Sequence, residues 1–323
     1  MMSRGWNARR VKRLQEMAGT VGRQPAEPPI ASMGSTGPPH IEDPLLIRDR
    51  LVSDGAQVTR PSIDPYREPV ETYVYLCGGK LRLSMPVVVK ISRNASKEFC
   101  EAVVKGAYCM DVLVDVSETQ HGMFERYGDG LLADISLAET DKYAGYVSAL
   151  YNLRKLGKLV FVRVPPSETY PWLKHAVGMG VAGVYLDEEI GSETPLEIGV
   201  SLLDVELRRM GLRNAVSIIA GGWSIRCSED VFKLVALGAD AIVLSKAVEY
   251  AVGGFDVKTG VDVMRERVEN LLLGVQRELK LLAGAAGVSN IYNSLVGSRE
   301  LLRAVELDRD IRLKLGVKQA GVG

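Results

Sequence analysis

The chain has 323 residues, of which 46% are hydrophobic and 25% are charged, so it can bury a full core and global disorder is excluded. Lys+Arg and Asp+Glu both total 40, and this zero net charge argues against a nucleic-acid or membrane-surface partner. No uninterrupted apolar run is long enough to cross a bilayer.

Residues 1–71 predict a basic N-terminal helix followed by an extended linker. The start, "MMSRGWNARRVKRLQEMAGT", lacks the apolar centre of a secretory signal, so we expect a helix that is exposed or docked on the folded body. The next segment, "GRQPAEPPIASMGSTGPPHIEDP", is rich in Pro, Gly and Ser, which favours an extended linker without a core of its own.

Residues 72–250 alternate short apolar runs with segments of helical period, which is typical of a parallel sheet with crossover helices. Seven runs predict strands: "PVVVK", "MDVLVDV", "LLADISL", "KLVFVRV", "AGVYLD", "VSIIAGG" and "DAIVLSK". Their β-branched residues on both faces indicate burial between helices. The predicted fold is therefore α/β, a (β/α)8 TIM barrel with one irregular strand near "GMFERYGDG". An open, doubly wound sheet is the alternative.

Residues 251–323 predict helices packed on the outside of the barrel, with no second globular domain. The segment "LLAGAAGV" is apolar and carries no charge, so we expect the chain to form an oligomer or a complex with another chain.

Four cysteines, Cys77, Cys100, Cys109 and Cys227, show no C-x-x-C pair and no zinc or iron–sulfur spacing. They are expected to be small buried hydrophobic side chains, in a protein of the reducing cytoplasm. The sequence thus predicts neither a metal site nor an iron–sulfur cluster.

The glycine pair in "IIAGGWSIRCSED" and the end of "DAIVLSK" predict a phosphate site. In a barrel, backbone N–H groups after the last two strands converge on one position that binds phosphate. Gly221 and Gly222 would allow close approach of the backbone, while Ser245 and Lys246 would supply donors. Paired glycines after a strand are equally typical of a simple tight turn, and both interpretations remain open.

Residues 195–248, "PLEIGVSLLDVELRRMGLRNAVSIIAGGWSIRCSEDVFKLVALGADAIVLSKAV", resemble the FMN-binding barrel domain of glutamate synthase. The leader "RRVKRLQEMAG" is similar to that of stand-alone archaeal members, and the segment after the barrel resembles their helical tail. The resemblance implies that FMN is the cofactor, and that its phosphate is held by Gly221, Gly222, Ser245 and Lys246.

The resemblance also implies redox chemistry at Lys142, Arg163 and Asp187. Lys142 lies in the loop where the family has a Lys near the flavin, Arg163 replaces a family Lys, and Asp187 ends its strand as the family's acidic residue does. A fixed cation at Arg163 would stabilise reduced flavin. Ordinary salt-bridged residues at strand ends are the alternative interpretation of all three.

Several loops depart from the family pattern. The run "VVVKISRNAS" lacks glycine, and the turn "DEEIGSETP" carries Glu188, Glu189 and Glu193, whose charges would repel a dicarboxylate. The segment "EYAVGGFDVKTG" contains no cysteine for a cluster.

Three functions are compatible with this sequence. The first is a glutamate synthase-like, FMN-dependent oxidoreductase acting on a 2-oxoacid or imine, with an electron-donating partner subunit. The second is a catalytically degenerate paralogue that serves as a structural or regulatory subunit. The third is an FMN barrel with another small-molecule substrate.

Overall fold

The computed structural model of the protein describes residues 5–20, 46–92, 94–116, 133–136, 159–253 and 259–321, and only the backbone of 133–136 and Thr20. The strands within these residues are β1 (Leu51–Ser53), β2 (Val74–Leu76), β3 (Leu81–Leu83), β4 (Val87–Lys90), β5 (Leu113–Asp115), β6 (Ala133–Ser136), β7 (Val160–Val164), β8 (Gly183–Asp187), β9 (Ser217–Gly222), β10 (Ala241–Leu244), β11 (Leu302–Ala304) and β12 (Lys318–Gln319). The α-helices are α1 (Ala8–Thr20), α2 (Lys97–Cys109), α3 (Leu173–Gly178), α4 (Leu196–Arg209), α5 (Ser228–Leu237), α6 (Lys246–Val252), α7 (Val261–Ala285), α8 (Ile291–Ser294) and α9 (Arg309–Leu315).

Seven strands of the described chain form one parallel sheet in the order β5-β4-β10-β9-β8-β7-β6. The strand of this sheet that comes first in the chain is β4, and the last is β10. Strand β4 pairs in parallel with both β5 and β10, so Val88 lies opposite Leu113 on one side and Val243 on the other. A closed barrel requires this pairing of the first strand with the last, whereas an open sheet leaves two free edges. The predicted α/β barrel is thus confirmed, and seven of its strands lie within the described residues, where the sheet ends at β5 and β6.

All seven apolar runs that predicted strands coincide with strands of this sheet, from β4 to β10. Strands β8 and β9 are buried along their whole length, as expected for strands covered by helices outside and by side chains inside. The segment predicted to contain the irregular strand, residues 122–130, lies outside the described residues.

The predicted N-terminal helix is present and docks on the outside of the barrel. Leu14 and Met17 are buried, because this face of α1 packs against α6 and α7. Trp6, just before the helix, is also buried, and its indole N–H donates to the carbonyl of Trp223, 2.8 Å away. The predicted linker falls on residues 22–44, which lie outside the described residues. No helix of the described chain is long and apolar enough to traverse a lipid bilayer.

Two small sheets were not predicted. Strands β1, β11 and β12 form one of them, in which Leu51 pairs with Ala304, so the C-terminal part is not made of helices alone. The hairpin β2–β3 forms the other, and the backbone N–H of Cys77 in its turn donates to Ser217 Oγ at the start of β9, 2.8 Å away. Strands of two or three residues carry too little periodicity to be detected in a sequence.

The contact between helices α2 and α7 depends on Gly106. A Cβ at this position would lie 2.9 Å from Val268 Cβ and 3.1 Å from the carbonyl oxygen of Arg265. Gly106→Ala is therefore expected to lower the free energy of unfolding by about 1–3 kcal/mol, because overpacking forces the helices apart. Denaturant titration measures this loss.

Gly178→Ala is the matched control for this prediction. Gly178 is likewise a helical glycine, the last residue of α3, and no described heavy atom lies within 4 Å of its added Cβ. The control is expected to be neutral or stabilising by about 0.5 kcal/mol, since alanine is the better helix former. An equal loss in both variants would contradict the assigned contact.

Candidate functional site

The carboxyl ends of the barrel strands carry a charged cluster at the mouth. Lys90 ends β4, Arg163 lies one residue before the end of β7, and Asp187 ends β8. Lys90 Nζ lies 2.9 Å from Asp187 Oδ2, and Arg163 Nε lies 2.8 Å from the same oxygen. The structure thus brings the predicted Arg163 and Asp187 together, whereas Lys142 lies outside the described residues.

Asp187 is fully buried but ionised. Burial opposes its ionisation, yet the charges of Lys90 and Arg163 together with their hydrogen bonds outweigh it and hold the pKa of Asp187 below its ordinary value of 3.8. The carboxylate therefore neutralises two strand-end cations, which is the salt-bridge interpretation of this pair.

Glu189, two residues after Asp187, accepts hydrogen bonds from the ends of two neighbouring strands, β4 and β10. Its carboxylate accepts from Lys90 Nζ at 2.6 Å and from Ser245 Oγ at 2.9 Å. Lys246, the next residue after Ser245, donates instead to Glu249 at 2.5 Å within α6. The Ser245 hydroxyl and the Lys246 ammonium group therefore each donate to a carboxylate of the chain.

Glu188 accepts hydrogen bonds from Ser224, which follows the glycine pair in the chain. The Ser224 backbone N–H donates to its Oε1 at 2.5 Å, and the Ser224 hydroxyl donates to its Oε2 at 2.8 Å. Burial raises the pKa of Glu188 above its ordinary value of 4.5, and the nearby charge of Arg48 only partly offsets this effect. The carboxyl group thus sits in a partly dehydrated position.

Neighbouring side chains pack so closely against Gly221 and Gly222 that neither position has room for a Cβ. Gly221 lies opposite Val243 in the sheet, and a Cβ there would be 2.3 Å from Val243 Cβ. Gly222 has a φ of +148°, and its added Cβ would lie 1.9 Å from Glu188 Cγ. Because Gly222 has no side chain, the side chain of Glu188 can pack directly against its backbone.

We call Gly221, Gly222, Ser245 and Lys246 the phosphate corner. Gly222 lies opposite Leu244, directly before Ser245, so the barrel does place the predicted residues beside one another. Their role in holding a flavin phosphate stays a prediction. The side chains of Ser245 and Lys246 and both donors of Ser224 bind Glu189, Glu249 and Glu188 instead.

The phosphate of FMN does not fit the corner as it stands. The phosphate would add a charge of about −1.5 to −2 beside the carboxylates of Glu188 and Glu189. Those carboxylates already face Arg48 at 3.9 Å and Lys90 at 2.6 Å, so they lie between the phosphate and these two cations and would repel it. A phosphate could enter only after the turn of Glu188–Ile190 had moved.

Two important residues of this region were not identified from the sequence. Lys90 could have been identified from the sequence, because a lysine at the carboxyl end of an apolar strand is expected to lie at the barrel mouth. No sequence pattern points to Arg48, since it belongs to the segment before the barrel and reaches Ser224 only through tertiary packing. Within the described residues, no group of three His, Cys, Asp or Glu side chains is arranged to hold a metal ion.

Comparison with protein families places the corner in a known sequence region. Residues 175–260 match the family model described as the conserved region in glutamate synthase. The chain is similar to the archaeal glutamate synthase [NADPH] of Methanocaldococcus jannaschii, with 26% identity covering 87% of this chain and 79% of the relative. It is similar to the archaeal-type glutamate synthase [NADPH] of Dehalococcoides mccartyi, with 26% identity covering 84% and 78%.

Solved structures show the same fold. The flavin-binding domain of baker's yeast flavocytochrome b2 superimposes with a TM-score of 0.59 and 13% identity, covering 86% of this chain and 83% of that one. A mandelate oxidase variant with 2-hydroxy-phenylacetamide superimposes with a TM-score of 0.57 and 16% identity, covering 81% and 88%. At such identities the likeness establishes the barrel architecture alone.

Proposed function

Since the chain carries a glutamate synthase-like barrel domain, we propose that it serves a glutamate synthase-type system as a subunit that does not hold FMN itself. In such a system an active paralogue would bind FMN and reduce an imine formed from a 2-oxoacid, such as the precursor of glutamate. This chain would contribute structure or regulation to that paralogue.

The observation that carries this proposal is the filling of the corner by the chain's own carboxylates. Glu188 accepts from both donors of Ser224, and Glu189 accepts from Ser245. Buried polar groups that are already paired gain little from a new partner, and an added anion would be repelled.

A flavin-dependent oxidoreductase acting on a 2-oxoacid or imine is the second candidate. The retained glycine pair and the placement of Ser245 beside it favour this function. Arg163 at the mouth is a further point in its favour, although its guanidinium is paired with Asp187. In this case the turn of Glu188–Ile190 would have to move before FMN could bind.

An absorption spectrum separates these candidates. The purified chain is incubated with FMN, passed through gel filtration and scanned in the visible range. We expect colourless protein, because the phosphate donors are engaged. Near-stoichiometric flavin that elutes with the chain would refute the proposal and support the oxidoreductase.

Light scattering with an active glutamate synthase barrel from the same cell tests the subunit role. We expect a complex of defined mass, since a barrel without a flavin would act through association. A chain that neither retains FMN nor associates would not be the proposed subunit.

A further inference from the structure

Glu188 is bound as a ligand anion would be. One carboxylate oxygen receives the backbone N–H of Ser224, the other receives its hydroxyl, and the Cγ atom lies where Gly222 has no side chain. A backbone N–H and a hydroxyl after a glycine turn are the groups that commonly hold a phosphate oxygen.

Arg48 supplies the positive charge behind this position. Its side chain is 1% exposed, and its Nη2 donates to Ser224 Oγ at 2.5 Å while its Nε donates to Glu197 at 2.7 Å. Its Nη1 is buried and has no hydrogen-bond partner in the described part of the chain. Arg48 therefore keeps a buried donor that the carboxylate of Glu188 does not use.

Arg48 is held firmly in place by its surroundings. Its carbonyl oxygen accepts from Lys233 Nζ at 2.9 Å, and the neighbouring Asp49 is paired with Arg226 in the loop after β9. A guanidinium fixed in this way would stay beside the corner after Glu188 has been removed, so the position is preorganised for an anion.

We propose that Glu188 is a built-in substitute for a ligand phosphate and that this side chain determines the exclusion of phosphate monoesters from the barrel. The inference rests on the proposed function and deepens it, since it names the residue that occupies the space beside Gly222. Removing the side chain clears the space beside Gly222 and frees both donors of Ser224. It also removes one negative charge next to Arg48.

The Glu188→Gly variant tests this proposal with FMN and riboflavin as probes, because the two flavins differ only in the phosphate. Binding is followed by quenching of flavin fluorescence. We expect FMN to bind at least about tenfold more tightly than to the unaltered chain, the gain of a charge-assisted phosphate contact. Riboflavin binding should not change, and inorganic phosphate should displace the FMN.

Glu193→Gly is the matched control. Glu193 is exposed in the same turn, so its replacement removes the same charge without clearing the corner. We expect no gain in FMN binding. An equal gain in this control would overturn the proposal in favour of a general charge effect.

Glu188→Ser is the second variant, chosen because serine keeps a hydrogen-bonding oxygen if the glycine variant is unstable. Circular dichroism verifies that each variant is folded. If folded variants and the unaltered chain all fail to bind FMN, the inference is overturned while the proposed function stands. Retention of FMN by the unaltered chain would overturn the proposed function as well.

Discussion

Replacing Arg226 by methionine is expected to lower the free energy of unfolding by about 3–5 kcal/mol. Arg226 is 2% exposed, and its guanidinium donates to Asp49 Oδ2 at 2.9 Å and to Asp230 Oδ1 at 2.8 Å. Both carboxylates are buried as well. Without Arg226, two buried negative charges would lose the cation that compensates them.

This pairing ties the segment before the barrel to the loop that follows the glycine pair. Asp49 belongs to the short helix Ile47–Arg50, while Arg226 lies just before α5 and Asp230 lies in the first turn of α5. Loss of Arg226 should therefore loosen the support behind the phosphate corner in addition to lowering stability.

Denaturant titration measures the effect, and Arg209→Met is the control. Arg209 is 76% exposed in its pair with Glu206, so its loss should cost no more than about 0.5 kcal/mol. A loss below about 1 kcal/mol for Arg226→Met would contradict the assigned role.

The pH dependence of stability gives a second readout for Asp230. Burial opposes its ionisation, but the charge and hydrogen bonds of Arg226 outweigh it and hold the pKa of Asp230 well below its ordinary value of 3.8. A depressed carboxyl pKa contributes stability above 3.8 that is lost as the pH falls below it. This acid loss should be smaller in Arg226→Met than in the unaltered chain.

Asp187→Asn is expected to lower the free energy of unfolding by about 3 kcal/mol. The variant removes the charge of Asp187 from beside both Arg163 and Lys90, while the ion pair of Lys90 with Glu189 is kept. Since the pKa of Asp187 is depressed, the difference from the unaltered chain should shrink as the pH falls below 3.8.

A double variant distinguishes charge compensation from packing at this position. Adding Arg163→Met to Asp187→Asn removes one of the two cations that faced Asp187, so we expect recovery of at least about 1 kcal/mol. Two losses that simply add would contradict the ion-pair interpretation. Glu193→Gln is the control, because Glu193 is exposed in the turn that follows Asp187, and it should leave stability unchanged within about 0.5 kcal/mol.

The barrel could be predicted because its signals are local. Each strand from β4 to β10 is a short apolar run whose burial is dictated by its own composition, and α4 and α5 follow from period and from their flanking Pro195 and Gly238. The position of the glycine pair at the barrel mouth followed from the same alternation.

The state of the site could not be predicted in this way. The sequence identified Glu188 and Glu189 as charges in the turn after β8, but not that their carboxylates meet Ser224 and Ser245. Those contacts depend on side-chain directions at the ends of three different strands. Arg48 adds a fourth segment that no spacing connects with the others.

The sequence by itself determined the architecture of this protein, because hydrophobic period and helix boundaries are properties of neighbouring residues. Only the tertiary structure decided which partner each charged group at the mouth would have. A buried charge takes the nearest available counter-charge or donor, and those partners come from segments as far apart as Arg48 and Ser224. The filling of the phosphate corner is therefore a property of the folded chain.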